Sequence, residues 1–142
     1  MKSTIKSNLM LAKMLIPDLC EQKHTAYVNI KIESNNYIAL IDTGSSNTFI
    51  SKNIIEKHNL SNIIDDKEKS TIKTLSNNIN TLGRIWFMTL KLDYEETLLS
   101  PIILNDNKYT IILGYDYLII NKIDIILTKN ILKIKNNEIK LF

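Results

Sequence analysis

The stretch Tyr37-Ile38-Ala39-Leu40-Ile41-Asp42-Thr43-Gly44-Ser45-Ser46 constrains this chain more than any other. An apolar run ends abruptly on a carboxylate, and a second apolar stretch, Thr48-Phe49-Ile50, resumes just beyond it. The nearly continuous apolar character of Tyr37–Ile41 predicts a strand covered on both faces, so Asp42 emerges at the end of a buried strand. Asp, Thr, Gly and Ser at a strand end suit a tight, hydrogen-bonded turn in which Gly44 can take backbone angles closed to other residues. Such a turn holds an acid in place for chemistry. An Asp that ends a strand is more often a plain turn residue; the flanking apolar strands are what weigh toward a site. The motif occurs once in 142 residues. If two carboxylates must act on one water, the second has to come from another copy, and the pattern then predicts a homodimer.

The length suits one domain with one core, and 44% hydrophobic residues is ordinary for a soluble globular chain. The net charge of +3, from 18 basic and 15 acidic residues, is spread along the chain. A nucleic-acid partner is therefore not indicated. The lone Cys20 rules out an intrachain disulfide and nothing argues for an oxidising compartment, so a reducing cytosol is the default expectation. Leu9–Ile16 is interrupted by Lys13 and followed by no small-residue cleavage site, so it does not read as a signal peptide. Asp116, Lys122 and Asp124 break the most apolar region, leaving no membrane span and no membrane partner expected. His24 and His58 have no ligand partners at recognisable metal spacing and read as surface residues, with no metal expected. Cys20 and His24 sit in no nucleophile motif. Asn59-Leu60-Ser61 matches a glycosylation triplet but reads as loop.

Along the chain, residues 1–23 carry loosely helical apolar spacing and read as an N-terminal extension or linker. Tyr27–Ile32 alternates as a half-buried strand, Ser34-Asn35-Asn36 supplies a turn, and Tyr37–Ile41 returns as the hairpin partner. Ser51 is a candidate N-cap for a short helix through His58, with Ile54 and Ile55 facing inward. Ser61–Lys69 reads as loop. Thr71–Leu75, the polar Ser76-Asn77-Asn78 and a long run from Ile79 to Leu92 then form a hairpin, with Trp86 facing the core or a groove. Asp93–Glu96 is a turn, followed by strand character from Thr97 to Leu104 and again from Thr110. Tyr115–Ile120 suits one or two helical turns, and Ile123–Leu127, Ile131–Ile134 and Ile139–Phe142 read as closing strands. Asp116 reads as a solvated helix-start or cap residue, not a second in-chain acid.

Asp42-Thr43-Gly44-Ser45, followed far downstream by Ile111-Ile112-Leu113-Gly114, resembles the retropepsins, the retroviral-type aspartic proteases. Ile111–Leu118 is most similar to the plant pararetrovirus and gypsy-type retrotransposon branch. The resemblance covers residues 24–142. It implies an all-β closed barrel with a flap hairpin and one or two short helices. It implies Asp42 as the catalytic acid, with Thr43 locking the paired loops across the dimer, Gly44 offering its N–H to the carboxylate and Ser45 adding a hydroxyl bond to it. Ile112, Leu113 and Gly114 would pack beneath that loop. Leu75, Ser76, Asn77 and Asn78 fall where the family carries its flap tip; relatives often place Gly there, and Asn tolerates the left-handed conformation.

What the resemblance implies is a homodimeric aspartic endopeptidase acting on a polypeptide substrate, a viral or retroelement polyprotein, in the host cytoplasm or a virus-like particle, without metal or organic cofactor. Two carboxylates in hydrogen-bond range cannot easily both ionise, so they share one proton and act as base and acid together. The alternative is a catalytically inactive retropepsin-like dimerisation or peptide-binding module. A nucleic-acid-binding β-barrel is the third reading, carried by positive charge alone.

Overall fold

The computed structural model describes residues 26–73 and 78–142, together with residues 10, 11 and 14. Within the expected N-terminal extension, Met10, Leu11 and Met14 are helical and exposed, and its other residues lie outside the described ones. Leu75, Ser76 and Asn77 of the expected flap tip also lie outside them.

Strand β1 (Ala26–Ile32) buries Val28, Ile30 and Ile32 by alternation and pairs antiparallel with β2 (Asn35–Ile41), Tyr27 opposite Leu40 and Ile30 opposite Tyr37. Glu33 turns the hairpin in a left-handed conformation, φ 53°, one position earlier than the expected turn. β2 is not covered on both faces: Ala39 is fully buried while Ile38 is 55% exposed. The composition of an all-apolar strand hides its alternation, because an isoleucine on the outer face carries no polar marker.

β3 (Phe49–Ser51) runs into helix α1 (Lys52–Lys57), which buries Ile54 and Ile55 as expected. Ser51 sits at the N-cap without making a capping bond; its hydroxyl accepts from the Thr110 N–H at 3.0 Å instead. Short 3₁₀ turns follow at Ser61–Ile63 and Asp66–Glu68. β4 (Thr71–Lys73) and β5 (Asn78–Arg84) pair antiparallel.

The expected run from Ile79 to Leu92 is two strands, β5 and β6 (Met88–Leu92), separated by Ile85-Trp86-Phe87. Near the end of β5, Gly83 marks a register shift against β8. Its φ is +129°, and a Cβ there would lie 2.1 Å from the Asp65 carbonyl oxygen, so only glycine admits the Asp65 strand crossing against Arg84. Trp86 is outside both strands and 54% exposed. Thr97–Leu104 likewise divides at Ser100-Pro101 into β7 (Glu95–Leu99) and β8 (Ile102–Leu104), since Pro101 has no N–H to continue a ladder.

β9 (Ile111–Leu113), helix α2 (Tyr115–Ile120), β10 (Ile123–Ile126), β11 (Ile131–Ile134) and β12 (Asn137–Lys140) complete the chain. The last strand starts earlier than Ile139, and Phe142 instead exchanges backbone hydrogen bonds with Tyr27 at 2.9 and 3.0 Å. Nine strands form a curled half-barrel in the order β4-β5-β8-β3-β9-β2-β1-β6-β7, and β10-β11-β12 form a second sheet. The fold is mostly β with two short helices in the described core, as the sequence predicts. Its core is rich in isoleucine and leucine, with Tyr117 the bulkiest fully buried side chain. His58 is buried, not on the surface: its ring meets the Tyr37 hydroxyl at 2.7 Å and the Glu33 carboxylate at 3.5 Å.

Candidate active site

β9 is wedged between the two strands that the Asp42 loop connects. It runs parallel to β2, Leu40 beside Ile112 and Ile41 beside Leu113, and antiparallel to β3, Phe49 beside Ile112. The loop from Asp42 to Thr48 must therefore cross the end of β9, where Gly114 stands. A Cβ on Gly114 would lie 2.2 Å from the Asn47 carbonyl oxygen and 2.8 Å from that of Ser45. No other residue permits the crossing.

Backbone bonds seat the loop on β9. The Asp42 N–H donates to the Leu113 carbonyl at 3.0 Å, and the Tyr115 N–H donates to the Ser45 carbonyl at 2.7 Å. Within the turn, the Ser45 N–H donates to the Asp42 carbonyl at 3.1 Å and the Gly44 N–H to Asp42 Oδ1 at 2.9 Å. Gly44 thus takes the role expected of it. Ser45 does not, because its hydroxyl donates to the Asn47 carbonyl at 2.7 Å and braces the turn rather than the carboxylate. Leu113 and Gly114 are buried beneath the loop and Ile112 is half-buried, while Thr43 and Gly44 are exposed. Asn78 opens β5.

Three residues that sequence reasoning missed or misread anchor the far end of the loop. Thr48, fully buried, accepts from the Gly114 N–H at 3.0 Å and donates to Asp116 Oδ1 at 2.8 Å. Asp116 also accepts from the Thr48 N–H at 3.3 Å and the Tyr117 N–H at 2.8 Å. It stands at the helix start, as expected, but Gly114 is the N-cap, and Asp116 is half-buried and ties α2 to the loop instead of facing solvent. Arg84 Nη2 donates to Asn47 Oδ1 at 2.7 Å, and its guanidinium lies over the Trp86 ring at 5.1 Å. The Trp86 indole N–H in turn donates to Asp65 Oδ2 at 2.9 Å. That bond, with the Lys67 backbone N–H, holds the Asp65 carboxyl below its ordinary pKa. The signal in sequence was slight: a polar pair, Asn47-Thr48, entering a buried strand, and an acid two residues past Gly114.

Asp42 is thus an oriented, solvent-reached carboxylate on a hydrogen-bonded loop, and Asp116 is committed to three donors. Among the described residues no group of three or more His, Cys, Asp or Glu side chains is placed to hold a metal ion. None of their helices is long and apolar enough to cross a membrane.

A half-barrel presenting one strand-end acid in this way defines a retropepsin-like domain. The chain belongs to the aspartyl protease family, whose model matches residues 17–128. It is 28% identical over 139 residues to DNA damage-inducible protein 1 of Candida glabrata, covering 98% of this chain and 32% of that protein. It is 25% identical over 133 residues to human protein DDI1 homolog 1, covering 94% of this chain and 33% of that protein. The chain therefore spans about a third of the length of these curated relatives. Among solved structures, the retroviral protease-like domain of Ddi1 from Leishmania major superposes with a TM-score of 0.70 at 22% identity, over 84% of this chain and 95% of that one. That likeness shows the fold. These relatives are Ddi1 proteins and give no support to the pararetrovirus or gypsy-type branch toward which Ile111–Leu118 points. The residues carrying that resemblance are the ones that build the shared loop crossing, so they do not separate its branches.

Proposed function

We propose that this chain is an aspartic endopeptidase working as a homodimer, each subunit lending one Asp42 to a single composite site. The observation that carries this reading is the Gly44 N–H bonded to Asp42 Oδ1 at 2.9 Å on a loop seated on β9. The acid is oriented before substrate arrives. Asp116 is already engaged by Thr48 and Tyr117, which leaves a twin Asp42 as the source of the second acid.

Two such carboxylates brought together hold one proton between them. The ionised oxygen takes a proton from a trapped water as that water attacks the scissile carbonyl, and the protonated one hydrogen-bonds to the carbonyl oxygen. The product of attack is a tetrahedral diol. Passing a proton to the amide nitrogen then lets the C–N bond break, with no covalent enzyme intermediate. Thr43 is exposed beside Asp42, and in this reading it bonds its counterpart across the twofold axis. Substrate lies extended between the β4–β5 hairpin and the loop, recognised as an added strand. The relatives' names, tied to DNA damage induction, favour a cellular polypeptide as substrate over a viral or retroelement polyprotein.

The test is incubation of wild type and Asp42→Asn with an unfolded polypeptide such as reduced casein over a range of enzyme concentrations. Cleavage by wild type alone, rising more steeply than linearly with concentration, supports the reading. Intact casein at concentrations where dimer is measured overturns it.

A further inference from the structure

The geometry points to a carboxylate-selecting subsite beside the catalytic loop, so that Asp or Glu side chains flanking the scissile bond determine which polypeptides are taken. This rests on the protease reading in two respects: it takes substrate to run along the loop and the site to be shared by a twofold dimer. A cleft of about 300 Å³ lies where the loop, the base of the β4–β5 hairpin and the start of β8 meet, and Asn47, Lys67, Glu68, Lys69, Ser70 and Arg84 line it. Three cations face one carboxylate there.

None of the three is in an ion pair among the described residues. Arg84 spends Nη2 on Asn47 and its face on Trp86, yet its Nε is buried with no acceptor. A buried guanidinium nitrogen without an acceptor is costly, and the acceptor that suits its planar fork is a carboxylate. Asp65 does not supply it, because the Trp86 indole and the Lys67 backbone N–H occupy that carboxylate. An incoming acidic side chain would meet Lys67, Lys69 and the part of the Arg84 guanidinium that lines the cleft.

The cleft is linked to the chemistry through Asn47, which stands on the same loop as Asp42 and is bonded directly to Arg84. In an extended substrate alternate side chains point the same way, so one position in register with the cleft delivers its side chain into it. A twofold dimer has two clefts, one on each side of the scissile bond. The ligand class is therefore an extended polypeptide carrying acidic residues on both flanks of the cut. Each partly exposed ion pair is worth a factor of up to about five, so a Glu over Gln preference of about tenfold is expected.

The experiment uses the Asp42→Asn chain, which binds without cutting, at concentrations where dimer is present. A random peptide pool is equilibrated with it and the bound fraction sequenced; the best binder is then compared with its own Glu-to-Gln version. Enrichment of Asp and Glu, about tenfold weaker binding of the Gln peptide, and loss of that ratio in Lys67→Gln/Lys69→Gln or by added salt support the subsite. Reversal toward Lys-bearing peptides in Lys67→Glu/Lys69→Glu supports it further. Equal binding of the Glu and Gln peptides, or no peptide bound, overturns it. If acidic peptides are selected but wild type cuts none of them, the subsite stands and the protease reading falls.

Discussion

The Thr48 hydroxyl donates to the Asp116 carboxylate at 2.8 Å while accepting from the Gly114 N–H at 3.0 Å, joining the end of the Asp42 loop to the start of α2. Residues 68 positions apart in sequence thereby set where Asp42 stands. Thr48→Val keeps the shape and removes the hydroxyl, leaving the Gly114 N–H buried without an acceptor and Asp116 without its best donor. Chemical denaturation should show a loss of about 2 kcal/mol. Thr48→Ser, which restores the hydroxyl, should recover most of it and most of the activity.

Gly114→Ala tests the crossing of loop and strand. Its methyl group would overlap the backbone oxygens of Asn47 and Ser45, which cannot give way as a side-chain tip can. The substitution should cost about 3 kcal/mol and remove activity even where the chain still folds. Near-wild-type thermal stability with full activity would refute the seating of the loop on β9.

How much of this was open to sequence reading follows from how local each feature is. The acid-bearing turn could be read because an apolar strand breaking into Asp42-Thr43-Gly44 is a pattern of neighbours, and Gly114 because its lack of a side chain is itself a signal. The Thr48–Asp116 bond is not local, and neither residue type advertises it. His58 looked like a surface residue because its partner Tyr37 lies 21 positions away. Continuous β-propensity from Ile79 to Leu92 conceals the break at Ile85-Trp86-Phe87, and no neighbouring residue announces the Asp65 backbone that packs against Gly83.

Tyr117 gives a pH test. Its hydroxyl is 2.7 Å from Thr97 Oγ1, and because Thr97 donates to the Leu90 carbonyl, Tyr117 is the donor of that pair. Tyr117→Phe should cost about 1 kcal/mol near neutral pH. Burial raises the folded-state pKa of Tyr117 above its ordinary value. The stabilisation is therefore full below about pH 10, where an unfolded tyrosine begins to ionise, and is lost as pH rises beyond it. Urea unfolding of both proteins at rising pH should show the difference between them narrowing above that point.

Asp65 has the opposite sign. Hydrogen bonds from Trp86 and Lys67 lower its folded-state pKa, so its contribution is present above the ordinary aspartate value and is lost as pH falls through the depressed one. In Trp86→Phe the larger of those bonds is gone. An NMR titration of the Asp65 carboxyl carbon should then move up toward the ordinary value; an unchanged midpoint would contradict the bond.

In the proposed enzyme each chain carries half a catalyst, and mixing tests that most directly. Wild type is held at one fixed concentration while Asp42→Asn chains are added in increasing excess, and peptide cleavage is followed. Asn-bearing chains should draw wild-type subunits into mixed dimers with a single acid, so the rate should fall toward zero. A rate that stays constant as the variant is added, with mixed dimers detected in the same tube, would mean that one chain cuts by itself.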